Sequence, residues 1–424
     1  MQVAASDVTA ATLRTADGTP LKQSLARAER RNRLRALLLV SPLFLFILVF
    51  FLIPIGDMLF RSVENRIVGE VLHRTVPLLA AWDETSGELP PEEVFRALVD
   101  DIKEGREART IVKVGRRMNY EQSGMTSLFR STARKAARLE AGPYKPAVIK
   151  MNKKWGKVET WLLLKRESAP FTLSYYLASI DLRFDSNGTI ASQPEDKQIY
   201  IQLFLRTLKL SGLITVLCLA LGYPISYLLA TLPARSSNLL MILVLLPFWT
   251  SLLVRTTAWI ALLQKEGVIN DTLVAIGLIG NENRLAMIHN ATGTVIAMVH
   301  ILLPFMVLPL YSVMKNIPPS YVRAARSLGA NPFTAFMRVY LPNTVPGIGA
   351  GAILVFIIAI GYYITPALVG GVSGTLISNL IAYHMSSSLN WGLAAALGSV
   401  LLALVLVLYF LYDKVVGIDN MKMS

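Results

Sequence analysis

Six apolar runs, each about as long as a bilayer is thick, constrain this chain of 424 residues more than any other feature. They cover residues 37–60, 208–229, 239–263, 292–313, 348–369 and 393–415. A helix needs roughly 20 apolar residues to cross the hydrocarbon core. Backbone groups in that medium must pair within the segment, so each run is expected to be a helix. The expected class is an all-α polytopic membrane protein with six transmembrane helices. The residues are 53% hydrophobic and only 17% charged, against roughly a quarter charged in soluble domains. Pro42, Pro54, Pro224, Pro247, Pro304 and Pro366 fall inside the runs. Kinks are expected there, with neighbouring helices satisfying the freed carbonyls.

Short-loop charge sets the expected orientation. Lys22, Arg27, Arg30, Arg31, Arg33 and Arg35 precede the first run, against the single acid Glu29. That end is expected inside, and six crossings return the C-terminus, with Lys414 and Lys422, to the same side. The connection after the fourth run carries Lys315, Arg323, Arg326 and Arg338 and no acid, whereas residues 370–391 carry neither Lys nor Arg. The net charge of +14 then follows from bases beside span ends, which argues against nucleic acid as a partner. The first 36 residues are polar and the run after them exceeds a signal core, so no cleaved leader is expected.

The long stretch 61–200 between the first two runs is expected outside, because long loops cross largely regardless of charge. It reads as a small, α-rich extracytoplasmic insert, with some strand allowed. Pro90-Pro91-Glu92-Glu93 marks a helix start. Val94, Phe95, Leu98, Val99 and Ile102 fall on one face of that helix. A second helix is expected over 126–139. Trp155, Trp161 and Leu162–Leu164 suggest a further buried element, with a strand as one reading, and Asn187-Gly188 suggests a turn. The expected organisation is a basic cytoplasmic segment (1–36), the first span (37–60), the insert (61–200), spans two to six (201–415) with a cytoplasmic loop at 316–343, and a tail (416–424).

Chemistry-bearing motifs are missing. One cysteine, Cys218, supports neither an intrachain disulfide nor a thiolate zinc site. His73, His289, His300 and His384 show no ligand spacing, and no HExxH, CxxC, GxSxG or P-loop pattern occurs. No catalytic residue, metal site or cofactor is therefore expected in this chain. A membrane-embedded enzyme lacks its cluster of acids, histidines or a nucleophile. A secondary transporter is disfavoured by the lack of an internal repeat.

Residues 321–342 carry the most specific pattern. Ala324 and Ala325 are followed after three residues by Gly329, after nine more by Val339, and then by Leu341-Pro342. Pro318-Pro319-Ser320 sets up a helix start, and Ala324, Ala325 and Leu328 form a slim apolar stripe. Gly329 can end that helix at positive φ. Asn331-Pro332 restarts a second helix with Phe333, Phe336 and Met337 on one face. The spacing resembles the EAA loop of ABC importer permeases, with Arg323 at the usual Glu position. Leu221-Gly222-Tyr223-Pro224, Leu246-Pro247-Phe248-Trp249-Thr250 and Leu302-Leu303-Pro304-Phe305-Met306 are similar to the spermidine/putrescine-type permeases, over most of the chain from about residue 200 onward.

That resemblance implies a type I importer fold and a permease subunit that binds no ATP itself. It implies two ATPase subunits carrying ATP and Mg, a second permease distinct from this one, and a periplasmic binding protein that can contact residues 61–200. It implies the bacterial inner membrane, with both termini cytoplasmic. Arg323, Ala324, Ala325, Gly329, Val339, Leu341 and Pro342 would then form the contact with the ATPase. With Arg at the Glu position, an acidic contact on that partner is the natural expectation.

The cargo expected from the resemblance is a polyamine or a related small nitrogenous solute. The residues themselves speak only weakly to it. Trp249, Trp259, Tyr362 and Tyr363 offer cation–π faces, although packing and interface anchoring are the commoner roles of such residues. Arg255 and His300 are ionisable groups within the runs. Arg255 allows the alternative of an opine or amino-acid-like carboxylate cargo, unless it merely bonds backbone carbonyls.

Overall fold

The computed structural model describes residues 21–185 and 188–416, so Lys422 and the Asn187 half of the expected turn lie outside the described residues. The chain divides into two compact units, Met1–Phe60 and Arg61–Ser424. In the first unit, helix α1 (Leu21–Ile47) runs through a π turn (Leu48–Leu52) into α2 (Ile53–Arg61). Glu29–Arg61 is continuous, apolar and long enough to cross a membrane. The π turn sits just before Pro54. A proline ring clashes with the carbonyl four residues back, and a wider turn relieves that contact.

The second unit begins with a layered helical body. Its helices are α3 (Ile67–Val71), α4 (Thr75–Ala81), α5 (Glu92–Glu107), α6 (Ile111–Glu121), α7 (Met125–Ala136), α8 (Tyr144–Met151), α9 (Val158–Glu167) and α10 (Ser174–Ser179). An antiparallel hairpin of β1 (Leu182–Phe184) and β2 (Ile190–Ser192) follows. The five apolar residues of α5 named above are all buried. The buried element at 155–164, with a strand as one reading, is a 3-10 turn (Lys153–Gly156) followed by α9. Trp155 and Trp161 lie six residues apart, and the Trp161 indole N–H bonds the Trp155 carbonyl at 3.0 Å. Their tilted rings lie 5.2 Å apart, whereas residues six apart in a strand are separated by about 20 Å and cannot touch. Burying side chains of this size contributes about 2–3 kcal/mol each.

A buried ionic cluster ties this body together. Arg117 of α6 pairs with Glu167 of α9 and with Glu121 at 2.8 Å. Its Nε donates to Asn65 at 2.8 Å, and its guanidinium lies 4.8 Å from the Tyr175 ring centroid. Burial opposes the Arg117 charge, but Glu167, then Tyr175 and Glu121, outweigh it and raise its pKa. Asp181 joins the body to the next helix. Its carboxylate accepts the backbone N–H groups of Ile199, Tyr200 and Ile201 at 2.8–3.0 Å, satisfying donors that a helix start leaves unpaired.

The long apolar helices and the shorter ones between them follow. They are α11 (Tyr200–Thr231), the pair α12 (Ala234–Leu245) and α13 (Leu252–Leu263), the short α14 (Val268–Ala275), and α15 (Ala291–Lys315). After α16 (Pro319–Ser327), α17 (Pro332–Ala335) passes through a π turn (Phe336–Tyr340) into α18 (Leu341–Gly361). The chain ends with α19 (Ile364–Val369), α20 (Gly371–Gly374), α21 (Ile377–Ser386) and α22 (Trp391–Val416). Ile214 and Cys218 of α11, Met298, Met306 and Leu310 of α15, and Val355 of α18 form the shared core. Close approach of α15 and α18 relies on Gly351, where an added methyl would lie 2.7 Å from Met306 Sδ.

Two expected spans differ from their sequence reading. The run 239–263 is not one helix: it breaks at Leu246–Trp249, and the helices on either side diverge by 98°. Pro247 and the capping Ser251 explain the break; Ser251 Oγ accepts the Val254 N–H at 3.2 Å. The run 348–369 stops at Gly361, and its helix starts earlier than expected, continuing unbroken from Pro332. Again the π turn lies just before a proline, Pro342, and carries the helix past it.

Candidate functional site

The first functional element is the segment between α15 and α18. Pro319 opens α16 at its first turn, where a missing N–H costs nothing. The helix ends in a two-bond cap: the Gly329 N–H bonds the Arg326 carbonyl and the Ala330 N–H bonds the Ala325 carbonyl, both at 3.0 Å. That geometry needs the left-handed conformation that Gly329 adopts, at φ 92°. Asn331 Oδ1 then accepts the Thr334 N–H at 2.7 Å and restarts the chain as helix.

This hairpin displays its apolar tip. Leu328 is 89% exposed and Phe333 69% exposed, which is costly for a free surface and suits a docking surface. Arg323, Ala324 and Arg326 are exposed on α16, and Ala325 is half-buried. Val339 and Leu341 are half-buried, and Pro342 is exposed at the start of α18. The expected common face of Phe333, Phe336 and Met337 is split. Phe336 turns inward to Tyr227 at 6.0 Å and stacks on Tyr340 at 5.7 Å, because the π turn rotates the residues after it. Behind the hairpin lies a cleft of about 600 Å³ bordered by Lys315, Arg323, Arg326, Tyr227 and Tyr340. Among the described residues, no carboxylate lies within 4 Å of Arg323 or Arg326.

The second element is a pair of helix breaks. At the first, Arg255 folds back from α13: Nη2 donates to the carbonyls of Pro247 and Thr250, the latter at 3.0 Å, and Nε to Thr250 Oγ1 at 3.3 Å. Its charge thus caps the carbonyl end of a helix. The second break, at Tyr362 and Tyr363, is clasped from α21: Ser378 Oγ donates to the Tyr362 carbonyl at 2.6 Å, and Asn379 Nδ2 to the Tyr363 carbonyl at 2.7 Å. The hydroxyls of Thr256 and Thr365, 3.4 Å apart, link the two breaks. Irregular backbone at membrane depth persists only within protein or beside a wet cavity, so the paired breaks mark the candidate pathway.

The aromatic candidates divide. Trp249 is 72% exposed beside the first break, and Tyr363 is exposed beside the second. Tyr362 is half-buried. Trp259 is committed to His300, donating its indole N–H to Nδ1 at 3.1 Å. Sequence reasoning missed Thr256, Thr365, Ser378 and Asn379. Only Pro247 and Pro366 signalled that the helices break near them.

Residues 220–416 match the family model of the binding-protein-dependent transport system inner membrane component. The spermidine/putrescine transport system permease protein PotB of Haemophilus influenzae is 37% identical over 222 residues, covering 52% of this chain and 77% of that protein. PotB of Escherichia coli is 35% identical over 215 residues, covering 50% of this chain and 78% of its own length. The inner membrane ABC transporter permease protein YdcU of E. coli is 32% identical, covering 51% and 71%. Among solved structures, a bacterial ABC transporter that imports the acidic polysaccharide alginate is similar at a TM-score of 0.41 and 21% identity, over 53% of this chain and 80% of that chain. The matched helices, the breaks and the Gly329-capped hairpin are one continuous region, and the chain belongs to the membrane-spanning permease subunits of binding-protein-dependent ABC importers, in the spermidine/putrescine-type family.

Proposed function

We propose that this permease forms half of an import pathway for a polyamine or a related small nitrogenous solute, driven through the 321–342 hairpin by a partner ATPase. The observation that carries the reading is the capped α16 hairpin with its exposed Leu328, beside the exposed guanidinium groups of Arg323 and Arg326. A rigid apolar tip ringed by exposed bases is suited to a groove with acidic walls. The pathway partners in this reading are two ATPase subunits binding ATP and Mg, a second and different permease, and a solute-binding protein. Relatives named for spermidine and putrescine favour the cargo. Arg255 favours it as well: a guanidinium bonded to Pro247 and Thr250 is poorly placed to receive a carboxylate cargo.

The topology in this reading places both termini and the 316–343 loop in the cytoplasm, and residues 61–200 outside, where they widen the surface that meets the binding protein. Uptake of labelled spermidine and putrescine in cells expressing the whole importer tests the cargo. Competition by an opine or amino acid with none by polyamines contradicts it. With buried Cys218 replaced, single cysteines at Ser86 and Ser327 test the topology through an impermeant thiol reagent. Only the first is expected to react from outside.

A further inference from the structure

Residues 110–157 carry twelve Lys or Arg against two acids, Glu121 and Glu140, whereas residues 83–107 carry nine acids against three bases. The fold gathers much of the basic charge on one surface. Arg130, Arg134 and Arg138 repeat every four residues along and just beyond α7, so they share a face, and all three are exposed. Lys150, Lys153 and Lys157 are exposed on the neighbouring strand of chain. The two stretches are stitched side by side: Lys135 Nζ donates to the Met151 carbonyl at 2.6 Å, and Asn152 Nδ2 to Ser131 Oγ at 3.4 Å. Among the described residues, none of these six exposed bases has a carboxylate within 4 Å.

The surface is rigidly backed. Directly beneath it, the Trp155 indole N–H bonds Thr132 Oγ1 at 2.9 Å, and Phe129 meets Trp155 edge-on at 5.5 Å. Among the described residues, its own bonds do not reach α11–α22. Bonds from the body to the rest of this unit come from α6, α10 and Asp181: the Tyr120 hydroxyl bonds the Ser388 carbonyl at 3.1 Å, Ser399 Oγ donates to the Tyr176 hydroxyl at 2.9 Å, and Asp181 caps α11. The bonds of α7 run to α6 and to residues 151–155. Like charges without carboxylate partners on a packed face raise a positive potential that draws in an acidic surface and orients it.

We propose that the face of α7 and residues 150–157 is the docking site for an acidic rim on the importer's solute-binding protein. This rests on the external placement of residues 61–200 and on the binding-protein contact proposed above. The test uses the intact permease–ATPase complex in nanodiscs and the fluorescently labelled binding protein, titrated at low and physiological salt. The triple variant Arg130→Glu, Arg134→Glu, Arg138→Glu is expected to lose roughly tenfold or more in affinity and to flatten the salt dependence. A control, Glu93→Lys with Glu107→Lys, is expected to stay within about twofold of the parent on the same argument. Basal ATPase activity should be unchanged in both, which shows that the complex is folded.

Unaltered affinity and salt dependence in the triple variant overturn the proposal. A hydrogen-exchange footprint of the bound complex separates two failures. Protection elsewhere within 62–199 keeps the insert as the contact and removes only the basic face. No protection anywhere in 62–199 removes the insert contact as well. Protection of α7 by phosphatidylglycerol nanodiscs, with none added by the binding protein, assigns the face to lipid and overturns the proposal too.

Discussion

Trp259 and His300 are joined edge to face at 5.3 Å, with the indole N–H donated to Nδ1. An indole N–H can only donate, so Nδ1 is the acceptor in this pair. The pair holds α13 against α15 next to the broken third span. We predict that Trp259→Ala raises the KM for polyamine uptake several-fold with normal complex yield. Trp259→Phe, which keeps a ring and loses only the donor, costs about 1 kcal/mol of stability and less uptake. An unchanged KM in Trp259→Ala removes the residue from the pathway.

Gly329 tests the hairpin by conformation alone. A methyl there meets nothing within 4 Å, yet the residue sits at φ 92°. Gly329→Ala therefore strains only the backbone, by about 1–2 kcal/mol. The expected outcome is weaker coupling of ATP hydrolysis to transport in vesicles, with the spans intact by circular dichroism.

Arg323→Glu reverses a charge that is exposed, so folding should be unaffected. Co-purification of the ATPase, or its stimulation by loaded binding protein, is expected to fall about tenfold, the loss expected when like charges face each other across an interface. Normal stimulation would refute an acidic contact at this position.

The ion cluster of the helical body should be sensitive to losing one partner. Glu167→Gln leaves the buried Arg117 short of charge and is expected to cost about 3–5 kcal/mol, while the paired Arg117→Met, Glu167→Leu change costs much less. Burial, and next the charge of Glu167, raises the Glu121 pKa above its ordinary 4.5. A raised carboxyl contributes stability that is complete below the ordinary value and is lost as pH rises through the raised one. Resistance of the body to pulse proteolysis should therefore grow as pH drops from neutral toward 4.5, and Glu121→Gln should remove that part of the slope.

Gly392 allows α22 to lie against α10, since a methyl there would fall 2.4 Å from the Tyr175 ring. Gly392→Ala is expected to loosen that contact by about 1–3 kcal/mol. New cleavage near residues 61–66 and 193–199, with the helical body itself still resistant, is the expected pattern under limited proteolysis.

Much of this protein is legible without coordinates. Apolar runs longer than a signal core leave the backbone no choice but helix in lipid, so residues 37–60, 208–229, 292–313 and 393–415 are found as helices on length alone. The hairpin is as readable, because Gly329, Asn331 and Pro332 each have a local backbone preference that needs no distant partner. Pro247 and Pro366 signal kinks, but the 98° turn and the halt at Gly361 were not readable: apolarity is continuous across both, and the second break is held by Ser378 and Asn379, sixteen residues on in sequence. The buried element at 155–164 stays open between strand and helix in the sequence, because short apolar runs carry little periodicity; it is a 3-10 turn leading into α9. The sequence by itself determined which segments are apolar and long enough to cross a bilayer, five unbroken helices and a sixth run that proves bent, and where the 321–342 hairpin turns, since hydrophobicity and local dihedral preference act at short range. Only the tertiary structure decided how far the third span turns, how the break at Tyr362 and Tyr363 is clasped, and that the bases of 150–157 lie beside those of α7, since the last two depend on groups brought together across the chain.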